Sequence, residues 1–116
     1  MRILFDHGTP APLIPVLEGH TVTKAKDAGW DKLANGELLK AVEASGLDVI
    51  VTSDQNIGYQ QNLTDRKFAS VVLGSNIWPV VRDHGAAIAA KVDAATPGSY
   101  EFIEMPLPPK RRRDGG

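Results

Sequence analysis

Two aspartates stand where short apolar runs give out: Asp6 directly after Ile3-Leu4-Phe5, and Asp54 two residues beyond Asp48-Val49-Ile50-Val51-Thr52. A third acid, Glu37, opens a segment with helical spacing. Carboxylates gathered without basic partners repel one another, and each then favours its protonated form. A hard divalent cation, Mg²⁺ or Mn²⁺, removes that penalty, because it takes oxygen ligands and keeps several waters, so that two or three carboxylates suffice. Such a site suits phosphodiester hydrolysis, with water activated at the cation, charge on the phosphate neutralised, and room for a second ion about 3.5–4 Å away. Asp6 and Asp54 are the expected ligands, with Glu37 as ligand or base. Plainer roles compete: an Asp after a strand also serves as a turn or cap residue, and the helix dipole alone favours an acid in a first helical turn.

The elements that position these acids follow from the spacing of apolar residues and breakers. Ile3-Leu4-Phe5 reads as a buried strand, closed by Asp6-His7-Gly8-Thr9 and Pro10. A short helix is expected from Pro12 to Leu17, limited by Pro15. Thr21-Val22-Thr23 is a second, β-branched strand. Asn35 is placed to cap a helix from Gly36 to Ala44, whose apolar face is Leu38, Leu39 and Val42 and whose end is Gly46. Asp48 to Thr52 is apolar on consecutive residues, as central parallel strands are, and a short helix is expected before the next strand, Ser70 to Leu73. After Ser75 or Asn76 as cap, one long helix from Pro79 would carry Val81, Gly85, Ile88 and Val92 on its inner face. Tyr100 to Ile103 alternates like an edge strand. This order predicts an α/β fold: a single three-layer domain with a mostly parallel sheet of four to five strands. If the first and third strands are neighbours, Asp6 and Asp54 emerge on one edge, where open parallel sheets bind ligands.

Composition frames the reading. A 42% hydrophobic share is enough for one core, and a 23% charged share is that of a globular chain. There is no cysteine, so thiolate metal sites and disulfides are excluded. The opening apolar run is too short for a signal peptide, and no stretch approaches the roughly 18 apolar residues of a membrane helix. A cytoplasmic protein without membrane attachment is expected. The net charge of −1 hides an asymmetry: the seven residues from Lys110 carry four basic and one acidic side chain, which leaves residues 1–109 at −4. A domain gripping nucleic acid through broad basic patches shows the opposite balance. The body, residues 1–105, is thus read as holding cations, with 106–116 as a Pro-rich basic tail that adds affinity for nucleic acid or an acidic partner or serves as a solubilising end.

Other residues carry weaker signals. Asn35, Thr52, Gln60, Gln61 and Asn62 are candidate substrate contacts, the last three through hydrogen bonds to a base or phosphate or, equally, to backbone at a helix end. His7, His20 and His84 are scattered and read as loop or surface residues. Trp30 and Trp78 read as packing residues, with base stacking as the alternative for Trp30. Arg66-Lys67 reads as a solvated turn rather than a phosphate contact.

The segments Met1-Arg2-Ile3-Leu4-Phe5-Asp6, Asn35-Gly36-Glu37-Leu38-Leu39, Val49-Ile50-Val51-Thr52-Ser53-Asp54-Gln55-Asn56 and Tyr59-Gln60-Gln61-Asn62-Leu63, with the later Val71-Val72-Leu73 and Trp78-Pro79, resemble a compact branch of the PIN-like superfamily. That branch is described as a domain of unknown function and grouped with toxin–antitoxin nucleases. The resemblance runs to about Glu104. It implies Mg²⁺- or Mn²⁺-dependent cleavage of RNA by clustered acids. Asp6 matches the first-strand acid, Asp54 the acid of the Thr-x-Asp segment, and Glu37 the helix that often bears another. An antitoxin protein is the implied partner, and a homodimer stays open. The chain departs from the pattern at Asn35, where many members have Asp; Asp27 and Asp31 are the acids left to complete the set.

Two other readings compete. The fold could serve as a non-catalytic protein-binding module, which Asn35 favours. A receiver-like domain would use Asp54 as phosphoacceptor, with Ser75 after the fourth strand. Receivers, however, pair acids after the first strand and place a Lys after the fifth, where this chain has His7 and Ile103-Glu104-Met105-Pro106.

Overall fold

The computed structural model describes residues 1–33, 35–55 and 66–106, with Asn35 described by its backbone alone. The short helix expected between the third and fourth strands, the residues Gln60, Gln61 and Asn62, and the basic tail at 110–113 lie outside the described residues. Five strands, β1 (Arg2–Phe5), β2 (Thr21–Lys24), β3 (Val49–Thr52), β4 (Ala69–Leu73) and β5 (Tyr100–Ile103), form one sheet in the order β2-β1-β3-β4-β5. Every pair is parallel.

The sheet is filled from both faces, which is why its inner strands are apolar without alternation. Ile3, Phe5, Val49, Val51, Val71 and Leu73 point to one side. There they pack under a 3-10 helix (Ala11–Leu17), α2 (Trp78–Arg82) and α3 (Gly85–Asp93). Leu4, Ile50 and Val72 point to the other, against Leu38, Leu39 and Val42 of α1 (Asn35–Ala44). The result is a three-layer α/β domain. Both β3 and β4 are buried along their whole length, whereas the edge strands β2 and β5 carry exposed residues, as edges tolerate.

Local chemistry sets the helix ends. Gly46, with φ of 73°, closes α1 in a Schellman turn: its N–H donates to the Glu43 carbonyl at 3.2 Å and the Leu47 N–H to that of Val42 at 3.4 Å. Glu43 also reaches forward, accepting the Lys67 N–H at 2.8 Å and the Arg66 guanidinium at 3.3 Å. The Lys67 amide above all, with Arg66 and the nearby Lys67 charge, lowers its carboxyl pKa against the opposing pull of burial.

Three expectations need correction. The segment after Pro10 is a 3-10 helix that runs through Pro15; prolines at 12 and 15 remove amides an α-ladder requires, and a 3-10 turn tolerates that loss in a short piece. The long helix expected from Pro79 is two helices, α2 and α3. At the break the His84 N–H bonds to Val81 rather than Val80, at 2.9 Å, while the His84 ring nitrogen Nδ1 meets the Val80 carbonyl at 3.0 Å. The side chain thus takes the acceptor that a continuing α-helix would have used. The anticipated inner face of Val81, Gly85, Ile88 and Val92 is nonetheless buried throughout. Finally, α2 has Ile77 at its N-cap with no side-chain cap; Ser75 instead accepts the Ile77 N–H at 3.1 Å, before the helix begins.

Candidate functional site

Because all strands are parallel, the segments following β1, β3, β4 and β5 leave the sheet at one edge. The order of strands reverses between β1 and β3, and at such a switch point the connections diverge to opposite faces and open a crevice. Asp6 and Asp54 flank it.

Thr52, the last residue of β3, joins the two. It is fully buried, yet its hydroxyl donates to Asp6 Oδ2 at 2.7 Å and accepts the Asp54 backbone N–H at 3.0 Å. The chain of bonds is directional, from amide to hydroxyl to carboxylate, and each link polarises the next. The other Asp6 oxygen, Oδ1, accepts the His7 N–H at 2.7 Å. The loop beneath is tied to the neighbouring strand: the Asp6 N–H donates to the Val51 carbonyl at 3.0 Å, and the buried Thr9 hydroxyl donates to the same carbonyl at 3.1 Å. Gly8 turns this loop with a φ of 91°, a conformation that a side chain strains.

Each Asp6 oxygen therefore holds one donor and keeps acceptor capacity, and no ion pair among the described residues involves Asp6. Asp54 is half-buried next to Ser53, its backbone fixed on Thr52. A hard cation that takes one or two carboxylates and fills its remaining positions with water or phosphate oxygens fits this donor set. A closed protein cage does not, since among the described residues no group of three or more His, Asp or Glu is placed to hold a metal ion. Glu37 is exposed in the first turn of α1, which begins at this same edge because it follows β2, but it does not complete such a group.

Among the described residues, two hollows open along the edge. One, of about 230 Å³, is bordered by Asp6, His7, Gly8 and Thr9, by Lys24 at the end of β2 and by Lys26 just beyond it. The other, of about 370 Å³, lies on the far side of Ser53, toward the ends of β4 and β5. The two lysines went unread in the sequence. Lys24 closes the β-branched run Thr21-Val22-Thr23, so a basic residue at a strand's carboxyl end was the available signal.

The remaining sequence candidates have structural partners. His20 Nε2 lies 2.7 Å from Asp93 Oδ1, and His84 serves the helix break. Trp30 and Trp78 pack against the two cores. Arg66 pairs with Glu43. No family model matches the chain, and neither a curated protein nor a solved structure matches it.

Proposed function

We propose that the chain is a metal-dependent ribonuclease of the PIN-like type, hydrolysing RNA phosphodiesters at the edge between β1 and β3, with an antitoxin protein as the partner that would restrain it. The observation that carries the reading is the Asp6 carboxylate, held by the Thr52 hydroxyl and the His7 amide at the switch point, with Asp54 fixed to the same hydroxyl. Asp6 and Asp54 would hold Mg²⁺ or Mn²⁺, with Glu37 in the first turn of α1 as the further acid. When bound, that ion neutralises phosphate charge and lowers the pKa of a water to make it a nucleophile. The protein's own part is positional. Thr52 keeps Asp6 aimed, the His7 amide stops it rotating, and Lys24 and Lys26 at the border of the Asp6 hollow attract the phosphates of the strand.

Titration of Mn²⁺ into the pure protein with a labelled single-stranded RNA tests the reading. Cleavage is expected to depend on the metal and to fall more than about 100-fold in Asp6→Asn, since even outer-shell partners of a catalytic metal are worth 10–100-fold. Equal cleavage by wild type and Asp6→Asn rejects the assignment.

One observation favours a second reading. The order β2-β1-β3-β4-β5 is that of doubly wound domains such as flavodoxin and the receivers, and a receiver-like role would make Asp54 a phosphoacceptor. Against it, Glu104, Met105 and Pro106 supply no lysine after β5. A mass increase at Asp54 after incubation with a small phosphodonor, without RNA cleavage, would establish the second reading over the first.

A further inference from the structure

The 370 Å³ hollow beyond Ser53 differs in chemistry from the one at Asp6. Its polar lining is Ser53, Gln55, Ser75 and Asn76, and its apolar wall is Ile77 and Met105. Among the described residues no charged side chain borders it. A phosphate or carboxylate would find no compensating charge there, whereas a flat heterocycle with in-plane donors and acceptors finds hydroxyls, amides and an apolar surface. The polar groups are held ready. Gln55 donates its Nε2–H to the Gly74 carbonyl at 3.2 Å, which leaves its Oε1 to accept. Ser75 Oγ accepts the Ile77 N–H at 3.1 Å, which leaves its own proton to donate. Ile77 is 53% exposed, which leaves its side chain open to a ligand.

The hollow is also built into the backbone. A Cβ placed on Gly74 would stand 2.9 Å from both the Ile103 carbonyl oxygen and the Met105 nitrogen, so only glycine lets the loop after β4 lie against the end of β5. At the other rim, a Cβ on Gly8 would come within 3.6 Å of Ser53 Oγ and 4.0 Å of Asn76 Nδ2. The loop that carries Asp6 therefore touches the border of this hollow, and Ser53 directly precedes Asp54.

We infer that this hollow receives an unpaired nucleobase of the RNA strand next to the phosphate held at Asp6 and Asp54, which makes the substrate single-stranded. The inference rests on RNA being the ligand of the acidic edge and deepens that reading. A base in a duplex has its Watson–Crick edge engaged and is stacked, and only a splayed base presents both edge and face to such a lining. The strand then crosses the edge with its phosphates toward Lys24 and Lys26 and one base lodged between Ser53 and Asn76.

The test is equilibrium binding by fluorescence anisotropy, with wild-type protein and Ca²⁺ in place of Mg²⁺ or Mn²⁺, a cation that fills the acidic edge but is a poor activator of water, and with the strand checked to be intact after each measurement. The probes are a short single-stranded oligoribonucleotide, the same strand with one abasic position moved along it, and its blunt duplex. The expected result is that one abasic position weakens binding about five- to tenfold, the effect of one or two hydrogen bonds, and that the duplex binds more weakly than the single strand. Asn76→Leu should lower affinity by a similar factor and flatten the abasic series. Asn76→Asp, equal in size at an exposed position, should do the same. A flat abasic series with wild type, or an Asn76→Leu protein that still senses the abasic position, overturns the inference. Cleavage in Mn²⁺ separates it from the nuclease reading: cutting with a flat abasic series leaves the nuclease standing without the base site, and a position-sensitive series with no cutting leaves the base site without the nuclease.

Discussion

Thr52→Val isolates the bond that joins the two aspartates. Valine matches threonine in shape, so the buried volume is kept and only the hydroxyl is lost. Two hydrogen bonds go with it: the one donated to Asp6 Oδ2 and the one accepted from the Asp54 N–H. A bond to a charged group contributes about 1.5–3 kcal/mol and a neutral one about 1 kcal/mol. Both lie at a half-buried edge where water can replace part of the loss, which puts the net cost at about 2 kcal/mol. With an unfolding entropy of about 0.2 kcal/mol/K for a chain of 116 residues, the melting temperature should fall by roughly 8–10 °C. The functional loss should be larger in proportion, because a carboxylate displaced by about 1 Å can cost roughly 100-fold in rate. Thermal unfolding and Mn²⁺-dependent RNA cleavage, measured on the same preparation, report the two quantities. Thr52→Ser keeps the hydroxyl and should recover most of the activity. A Thr52→Val protein that melts and cuts like wild type, or a Thr52→Ser protein as impaired as the valine variant, would refute the argument that this hydroxyl aligns the site.

Two further outcomes follow from other parts of the molecule. Glu43 has its carboxyl pKa lowered in the fold from an ordinary 4.5, chiefly by the Lys67 amide. Its contribution to stability is therefore complete near neutral pH and disappears as pH falls through the depressed range, so urea unfolding of wild type and Glu43→Gln should differ at pH 7 and converge in acid; a gap that widens in acid would contradict this sign. Lys24→Ala with Lys26→Ala should leave stability unchanged, both being exposed, while flattening the salt dependence of single-stranded RNA binding by about 1.4 in the log–log slope, or 0.7 for each phosphate released; an unaltered slope would remove these lysines from the strand's path.

Much of the fold was legible because its signals are local. Val49-Ile50-Val51 is apolar on consecutive residues only because both faces are covered, and Gly46 ends α1 because a left-handed residue is needed there. The adjacency of β1 and β3, on which the pairing of Asp6 with Asp54 depends, is not local, and spacing could pose it only as a condition. The break at His84 was illegible for a different reason. The apolar spacing across Val81, Gly85, Ile88 and Val92 is continuous, and nothing in it announces that a histidine ring will take the Val80 carbonyl. The part played by Thr52 was half visible: the sequence put it beside the site as a substrate contact, whereas the fold buries it and turns its hydroxyl on Asp6. The hollow beyond Ser53 was out of reach, since it depends on the close approach of Gly74 to the end of β5, which pairs residues some thirty positions apart.

The Thr9 hydroxyl, bonded to the Val51 carbonyl from within the protein, makes the loop after β1 an extension of the sheet rather than a tether above it. Its conformational entropy is surrendered when the chain folds, before any ligand arrives. A ligand at Asp6 would then meet little ordering cost, and one that needs this loop in another shape would have to break its bonds to the Val51 carbonyl. Discrimination at the acidic edge would accordingly be that of a fixed die, which accepts or rejects by fit, rather than that of a clasp that closes on what it has caught.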